Sequence, residues 1–71
     1  MRNMLGENIK KIRKKRKLTQ DRLARIADIP YTSITKIETG VIKSPSVQTV
    51  AKIAKALGIS VDELIKGVSD V

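Results

Sequence analysis

Polar and apolar residues along this chain repeat with the period of α-helices. Near the N-terminus, apolar residues recur at spacings of four and three, with polar residues between them, at Leu5, Ile9 and Ile12. This stripe predicts an amphipathic first helix that runs into a basic segment over residues 10–17. Thr19 is a favoured N-cap residue and predicts the start of a second helix. That helix is expected to end at Asp28, because Pro30 pushes the residue before it away from helical angles.

Three further helices are predicted downstream. Pro30 suits the start of a short third helix, which ends by Gly40. Ser46 is placed to cap a fourth helix. We expect the apolar face of this helix to comprise Val47, Val50, Ala51, Ile53, Ala54 and Leu57. Ser60 and Glu63 match the capping-box pattern S-x-x-E, which predicts a short fifth helix.

The composition favours a helical core over a sheet sandwich. Apolar residues make up 41% of the 71 positions, which is enough for one compact core and too little for a second domain. Tyr31 is the only aromatic residue, so the core must consist of Ile, Val, Leu, Met and Ala side chains, which suit close helix packing. We therefore expect an all-α fold, a compact five-helix domain that spans residues 1–71.

Catalysis is an unfavourable interpretation of this sequence. The chain has no Cys and no His, which removes the thiolate nucleophile, the imidazole base and the usual ligands of zinc. The seven acidic residues are scattered, and no phosphate-binding loop of the GxxxxGK[ST] type occurs. A carboxylate mechanism remains formally possible, but we expect no enzyme, no metal and no cofactor. No small-molecule ligand is evident either.

The charge of the chain points to a polyanionic partner. The net charge is +8, a balance typical of proteins that bind nucleic acid. An anionic membrane is the second candidate, and a third interpretation is that the charge serves solubility alone. The basic segment 10–17 is either part of an electrostatic footprint on DNA or a solvated helix end. Because the sequence has neither the apolar run of a signal peptide nor a transmembrane stretch, we expect a cytoplasmic protein.

The stretch from Leu18 to Gly40 has the spacing of a helix-turn-helix, in which two short helices follow each other across a tight turn. Five segments make the resemblance specific: Leu18-Thr19-Gln20, Leu23-Ala24, Ser33 to Gly40, Pro45-Ser46 and Ile53 to Leu64. They are similar to the Cro and phage-repressor helix-turn-helix family, also called XRE-like or lambda-repressor-like. Together the segments cover nearly the entire chain.

The resemblance implies a lambda-repressor-like fold with the helix-turn-helix motif at about residues 19–39. It implies that the third helix contacts base edges through Tyr31, Thr32, Thr35 and Lys36. Contacts with the DNA backbone are implied for Thr19, Gln20, Thr39 and Lys43, and Gln20 is also expected to support the reading helix. The chemistry fits, since Lys donates to guanine and a Thr hydroxyl bonds either way. Two alternatives remain: Tyr31 serves only to staple the turn, and the other residues form an ordinary solvated helix face.

Arg13 and Glu38 occupy positions that form a partly buried ion pair in similar proteins, which links the first helix to the reading helix. Three positions depart from the family pattern. Asp28 stands where the turn usually has Gly, Lys17 stands where Gly or Asn is common, and Pro30 replaces the usual Ser or Thr cap of the third helix. Asp tolerates left-handed backbone angles better than most residues, so the turn remains compatible with the fold.

The function that the resemblance implies is sequence-specific regulation of transcription by a homodimer bound to double-stranded operator DNA, with repression favoured and activation left as an alternative. The two reading helices would enter successive major grooves about 34 Å apart. The expected interface is the apolar C-terminal end, with a contribution from Ile42: Val61, Ile65, Val68 and Val71. Alternatively, Val61 and Ile65 belong to the core and the tail is frayed. A competing function is an antitoxin or adaptor module whose main partner is a protein.

Overall fold

The computed structural model describes residues 4–66, which form five α-helices and contain no strand. The helices are α1 (Met4–Lys15), α2 (Gln20–Ala27), α3 (Tyr31–Thr39), α4 (Val47–Leu57) and α5 (Val61–Leu64). The predicted all-α class and the predicted order of helices are confirmed for this part of the chain. Within residues 4–66, none of the five helices has the length and hydropathy that a membrane span requires.

Three of the helices begin where a hydroxyl side chain caps them, as predicted. The hydroxyl oxygens of Thr19, Ser46 and Ser60 each accept a hydrogen bond from the backbone N–H three residues further on, at 3.0, 3.1 and 3.1 Å. Each bond satisfies one of the N–H groups that the start of a helix leaves unpaired. Pro30 precedes α3 without a side-chain hydrogen bond, as expected for a residue that lacks a side-chain oxygen.

The turns after α1 and α2 contain left-handed residues that are not glycine. Lys17 has a φ of 58° and Asp28 a φ of 60°. The N–H of Ile29 closes the end of α2 by donating to the carbonyl of Ala24 at 3.0 Å, the bond typical of a Schellman cap. Left-handed angles bring Cβ close to the following carbonyl, so both turns carry a local cost that glycine would avoid.

The core has members from every helix. α3 packs against α1 and α2, and α4 packs against α2, α1 and α5. Seven side chains are fully buried between these helices: Ile9, Leu23, Ile34, Ile37, Ile53, Leu57 and Leu64. Close packing of this kind resists relative movement of the helices, so α3 is held in a fixed position on the surface of the bundle.

The buried face of α4 is narrower than the sequence pattern indicated. Its buried residues are Val50, Ile53, Ala54 and Leu57. Val47 is 83% exposed and Ala51 is also exposed, so these two members of the expected apolar face lie outside the core. Val47 lies in the first turn of the helix, beyond the end of the packed stripe. Ala51 follows Val50 at roughly 100° around the helix axis and is exposed.

α5 is attached to α1 by a side chain that the sequence did not single out. The Nδ2 of Asn8 donates to the carbonyl of Leu64 at 2.9 Å and to the carbonyl of Lys66 at 2.8 Å. The last carbonyls of a helix lack partners within it, so Asn8 satisfies groups that the end of α5 leaves open. Because α5 has only four residues, its position depends on this contact and on the burial of Leu64.

Replacing Lys17 with glycine is expected to stabilise the fold. A left-handed conformation costs a non-glycine residue roughly 1–2 kcal/mol, of which the greater freedom of glycine in the unfolded chain offsets about 0.5–1 kcal/mol. We expect Lys17→Gly to raise the free energy of unfolding by about 0.5–1 kcal/mol in urea titrations. Lys10→Gly removes the same charge from an exposed position inside α1 and should lower it by about 1 kcal/mol. A less stable Lys17→Gly protein would contradict the strain assigned to this turn.

Candidate nucleic-acid interface

The outward side of α3 is polar and accessible. Ile34 and Ile37 hold the helix against the core through its inner side. The four residues predicted to contact bases all retain accessible surface: Tyr31, Thr32, Thr35 and Lys36. Thr32 and Lys36 are exposed, Tyr31 is 50% exposed and Thr35 is partly buried. The structure therefore presents these side chains together on one accessible side of a firmly packed helix.

An ion pair between Arg13 and Glu38 ties α1 to the last turn of α3. The Nε of Arg13 lies 2.8 Å from Oε2 of Glu38, and its Nη2 donates to Oε1 at 3.2 Å. The same guanidinium donates from Nη1 to the carbonyl of Leu18 at 2.8 Å. The two side chains are only 10% and 2% exposed, so the pair is well shielded from water. Bidentate geometry of this type fixes both position and orientation.

Gln20, which the resemblance implied would support the reading helix, joins this pair through an acceptor that the sequence did not indicate. Its Nε2 donates to Oε1 of Glu38 at 3.0 Å and so connects the start of α2 to the end of α3. The two residues are 18 positions apart, and only the packing of α2 on α3 brings them together. An amide nitrogen carries two donors, and one N–H therefore remains for another acceptor. We call Arg13, Glu38 and Gln20 the buried polar network.

The threonines differ in what their hydroxyl groups offer to a ligand. The oxygen of Thr19 accepts from the backbone N–H of Arg22, which leaves the hydroxyl proton of Thr19 available. The hydroxyl of Thr35 donates to the carbonyl of Thr32 at 2.8 Å, and that of Thr39 donates to the carbonyl of Thr35 at 2.8 Å. The hydroxyl of Thr19 can therefore donate to a ligand, whereas the hydroxyls of Thr35 and Thr39 can only accept.

Lys43 lies on the irregular segment that follows α3, and its side chain is exposed. Gly40 ends α3 with a φ of 90°, a conformation that favours glycine. The N–H of Ile42 then donates to the carbonyl of Lys36 at 3.0 Å, which folds this segment back onto the last turn of the helix. The ammonium group of Lys43 is therefore carried by a backbone fastened directly to the end of α3.

The basic segment at the end of α1 is mostly solvated. Lys14, Lys15 and Lys17 are exposed. The side chain of Arg16 extends towards α4. Its Nη1 lies 3.7 Å from the position that a Cβ on Gly58 would occupy, at the C-terminal end of that helix. A cation there complements the negative end of the helix dipole. This guanidinium accordingly lies close to the C-terminal end of α4.

The residues predicted to form a dimer interface are only partly described. Val61 is 38% exposed and Ile65 is 40% exposed, so neither belongs to the fully buried core. Val68 and Val71 lie outside the described residues. Ile42 is partly buried and packs against the core, so it offers less surface to a partner than the loop position indicated. Among residues 4–66, other large apolar side chains with more than half of their surface exposed are Ile26, Val41 and Val47.

A capped eight-residue helix, a tight turn and a nine-residue helix with an accessible polar side define a helix-turn-helix domain. The family model described as helix-turn-helix matches residues 9–64. The chain belongs to this family, the XRE-type helix-turn-helix regulators of transcription, and the predicted resemblance to Cro and phage repressors is confirmed.

Individual relatives agree with this assignment. The chain is 39% identical over 67 residues to the HTH-type transcriptional regulator YqaE of Bacillus subtilis (strain 168), covering 94% of this chain and 57% of that protein. It is 41% identical over 61 residues to the immunity repressor protein of Bacillus phage phi105, covering 86% of this chain and 42% of that protein. The chain thus spans about half the length of these curated relatives.

A solved structure provides the same comparison in three dimensions. The N-terminal DNA-binding domain of SinR from Bacillus subtilis superposes with a TM-score of 0.87 at 28% sequence identity. The match covers 97% of this chain and 100% of that chain. The fold of this chain is therefore similar to that of a domain named as a DNA-binding domain.

Proposed function

We propose that this chain is a sequence-specific repressor that inserts α3 into the major groove of double-stranded DNA. The observation that carries the proposal is the accessible polar side of α3, held by two buried isoleucines and the buried polar network. Specific recognition requires base-contacting side chains on a rigid element. The net charge of +8 supplies the sequence-independent attraction to phosphates.

Base contacts are assigned to the exposed side of α3. Lys36 carries only donors and fits the O6 and N7 acceptors of guanine. Thr32 makes no side-chain hydrogen bond within residues 4–66, so its hydroxyl is available as donor or acceptor. Tyr31 opens the helix and is half exposed, so we assign its ring and hydroxyl to a base or a neighbouring phosphate.

Phosphate contacts are assigned to the side chains that flank α3. Thr19 has a free hydroxyl proton, and Gln20 has a second amide N–H beyond the one given to Glu38. Lys43 stands just past the other end of the helix. Thr39 was expected in the same set, but its hydroxyl proton is donated to the carbonyl of Thr35 at 2.8 Å, which leaves only lone pairs that phosphate oxygens repel, so we assign it no phosphate contact. Contacts of this kind fix the register on DNA and carry no sequence information.

The proposed assembly on DNA is a homodimer. Val61 and Ile65 offer exposed apolar surface near the end of the described chain, on either side of the core residue Leu64. Two domains joined there would place their α3 helices in successive major grooves about 34 Å apart and would select a palindromic site. The apolar end also fits a different protein as partner, and the experiment below distinguishes the two.

Selection from random DNA duplexes tests both reading and dimerisation. We expect the wild-type chain to return a palindrome with half-sites one helical turn apart. Ile65→Asp places a charge in the proposed interface and should return single half-sites, bound at least about tenfold more weakly than the palindrome. Ile26→Asp changes an exposed isoleucine on α2 in the same way and serves as the matched control, which should still return the palindrome.

Two outcomes would contradict the proposal. Recovery of no preferred sequence at low salt would refute sequence-specific reading by α3. A palindrome recovered equally with Ile65→Asp, when circular dichroism shows a folded protein, would refute the interface at the C-terminal end. If the chain selects no sequence but elutes from a size-exclusion column as a stable complex with another protein, the antitoxin or adaptor function is favoured instead.

A further inference from the structure

Within the proposed function, we propose that Thr35 specifies an A·T base pair in each half-site. The inference rests on the insertion of α3 into the major groove and adds the identity of one base pair. It follows from the hydrogen-bond direction of a single hydroxyl group. Neither the family assignment nor the relatives state which base this position contacts.

The hydroxyl proton of Thr35 is already used inside the helix. Oγ1 donates to the carbonyl of Thr32 at 2.8 Å, a bond that Thr side chains make readily in helices. What remains for a ligand is the lone pairs of Oγ1 and the methyl group Cγ2. Donation to a base would require this short bond to break and would leave the Thr32 carbonyl without its extra partner. Thr35 therefore acts as an acceptor with a methyl group beside it.

The neighbouring residues on α3 have the opposite character. Lys36 has three donors and no acceptor, and the hydroxyl of Thr32 is not committed within residues 4–66. The side of α3 thus presents a donor and an acceptor at consecutive residues. Such a pattern distinguishes both the identity of a base pair and the strand that carries each base, because a donor repels the donor atoms of a base and an acceptor repels its acceptor atoms.

Base chemistry then selects the partner of Thr35. In the major groove, guanine presents only the acceptors N7 and O6, which an outward lone pair repels. Adenine presents the 6-amino donor and cytosine the 4-amino donor, while thymine presents a methyl group. The A·T pair alone offers a partner for both ends of this side chain, an amino group for Oγ1 and a methyl group for Cγ2. The G·C pair offers the amino group only.

The experiment first locates the base pair and then alters its atoms. Selection with Thr35→Ala, which keeps helix propensity high, identifies the position whose preference disappears, and we expect that position to be A·T in the wild-type selection. Wild-type protein is then titrated with the selected duplex in which purine replaces this adenine, which removes only the 6-amino group. The expected loss is about 2- to 12-fold in affinity, the range of one net hydrogen bond. Uracil in place of the paired thymine removes the methyl group and should weaken binding less.

Controls separate this inference from the proposed function. The same two analogues at an A·T pair outside the half-sites should leave affinity unchanged. A Thr35-dependent position that proves to be G·C would overturn the inference, and so would an A·T position that tolerates both analogues without loss. If α3 does not enter the major groove, Lys36→Ala will also leave the selected sequence unchanged. If only the inference fails, Lys36→Ala will still alter its own position.

Discussion

Glu38→Ala is expected to destabilise the domain more than any other single change considered. Removal of this carboxylate leaves the guanidinium of Arg13 in a place where it is only 10% exposed and leaves Gln20 without its acceptor. Breaking a buried pair by deleting one partner costs about 3–5 kcal/mol, because the remaining charge is uncompensated. In a domain of this size 1 kcal/mol corresponds to roughly 4–8 °C, so the melting temperature should fall by at least about 12 °C.

An exposed ion pair provides the matched control for this measurement. Asp21 and Arg25 lie one turn apart on α2 with an Nε to Oδ2 distance of 3.2 Å, and their side chains are 59% and 77% exposed. Exposed pairs at this spacing contribute about 0.3–0.5 kcal/mol, so Arg25→Ala should change the melting temperature by no more than a few degrees. Equal melting temperatures for Glu38→Ala and Arg25→Ala would show that the buried polar network does not stabilise α3.

The second large effect distinguishes side chains that contact bases from side chains that contact phosphates. Lys36→Ala should relax the preference at one base position and cost about 1–3 kcal/mol of binding to the preferred duplex. Lys43→Ala should weaken preferred and unrelated duplexes alike and reduce the slope of log K against log salt by about 1, because it removes one phosphate contact. Both side chains are exposed, so neither substitution is expected to alter the fold.

Salt titrations with a preferred and a scrambled duplex measure both effects together. Each variant is titrated on both duplexes, and the ratio of the two affinities gives the specificity. The specificity ratio should fall for Lys36→Ala and stay constant for Lys43→Ala. Identical behaviour of the two variants would refute the separate roles given to α3 and to the segment after it.

The positions of the helices could be predicted because their signals are local. Thr19, Ser46 and Ser60 each bond to an N–H only three residues away, so the capping pattern is visible in the sequence itself. The left-handed angles of Lys17 and Asp28 fall at positions where the family pattern has glycine, or for Lys17 glycine or asparagine. Errors occurred where periodicity was extended to the end of a helix, as for Val47, because period alone does not say where packing stops.

The candidate site likewise contains residues that the sequence could indicate and contacts that it could not. The exposed residues of α3 were named from the family resemblance, and the accessible side of the helix contains them. The contact of Gln20 with Glu38 was not foreseen, since a Gln at the start of a helix has many equally plausible partners in sequence. Nor did any pattern indicate that Asn8 would hold the end of α5 across 56 residues.

The helical class, the capped beginnings of three helices and the cationic character that favours a polyanionic partner could all be predicted from the order of residues. Those properties depend on composition and on residues within one turn of each other. Tertiary structure alone decided which polar groups meet, above all the network that fastens α1 and α2 to the reading helix. Hydrogen bonds between residues 18 or 25 positions apart form only when the packed core brings their helices together. In the unpacked chain, many other side chains of the same chemistry are equally available as partners.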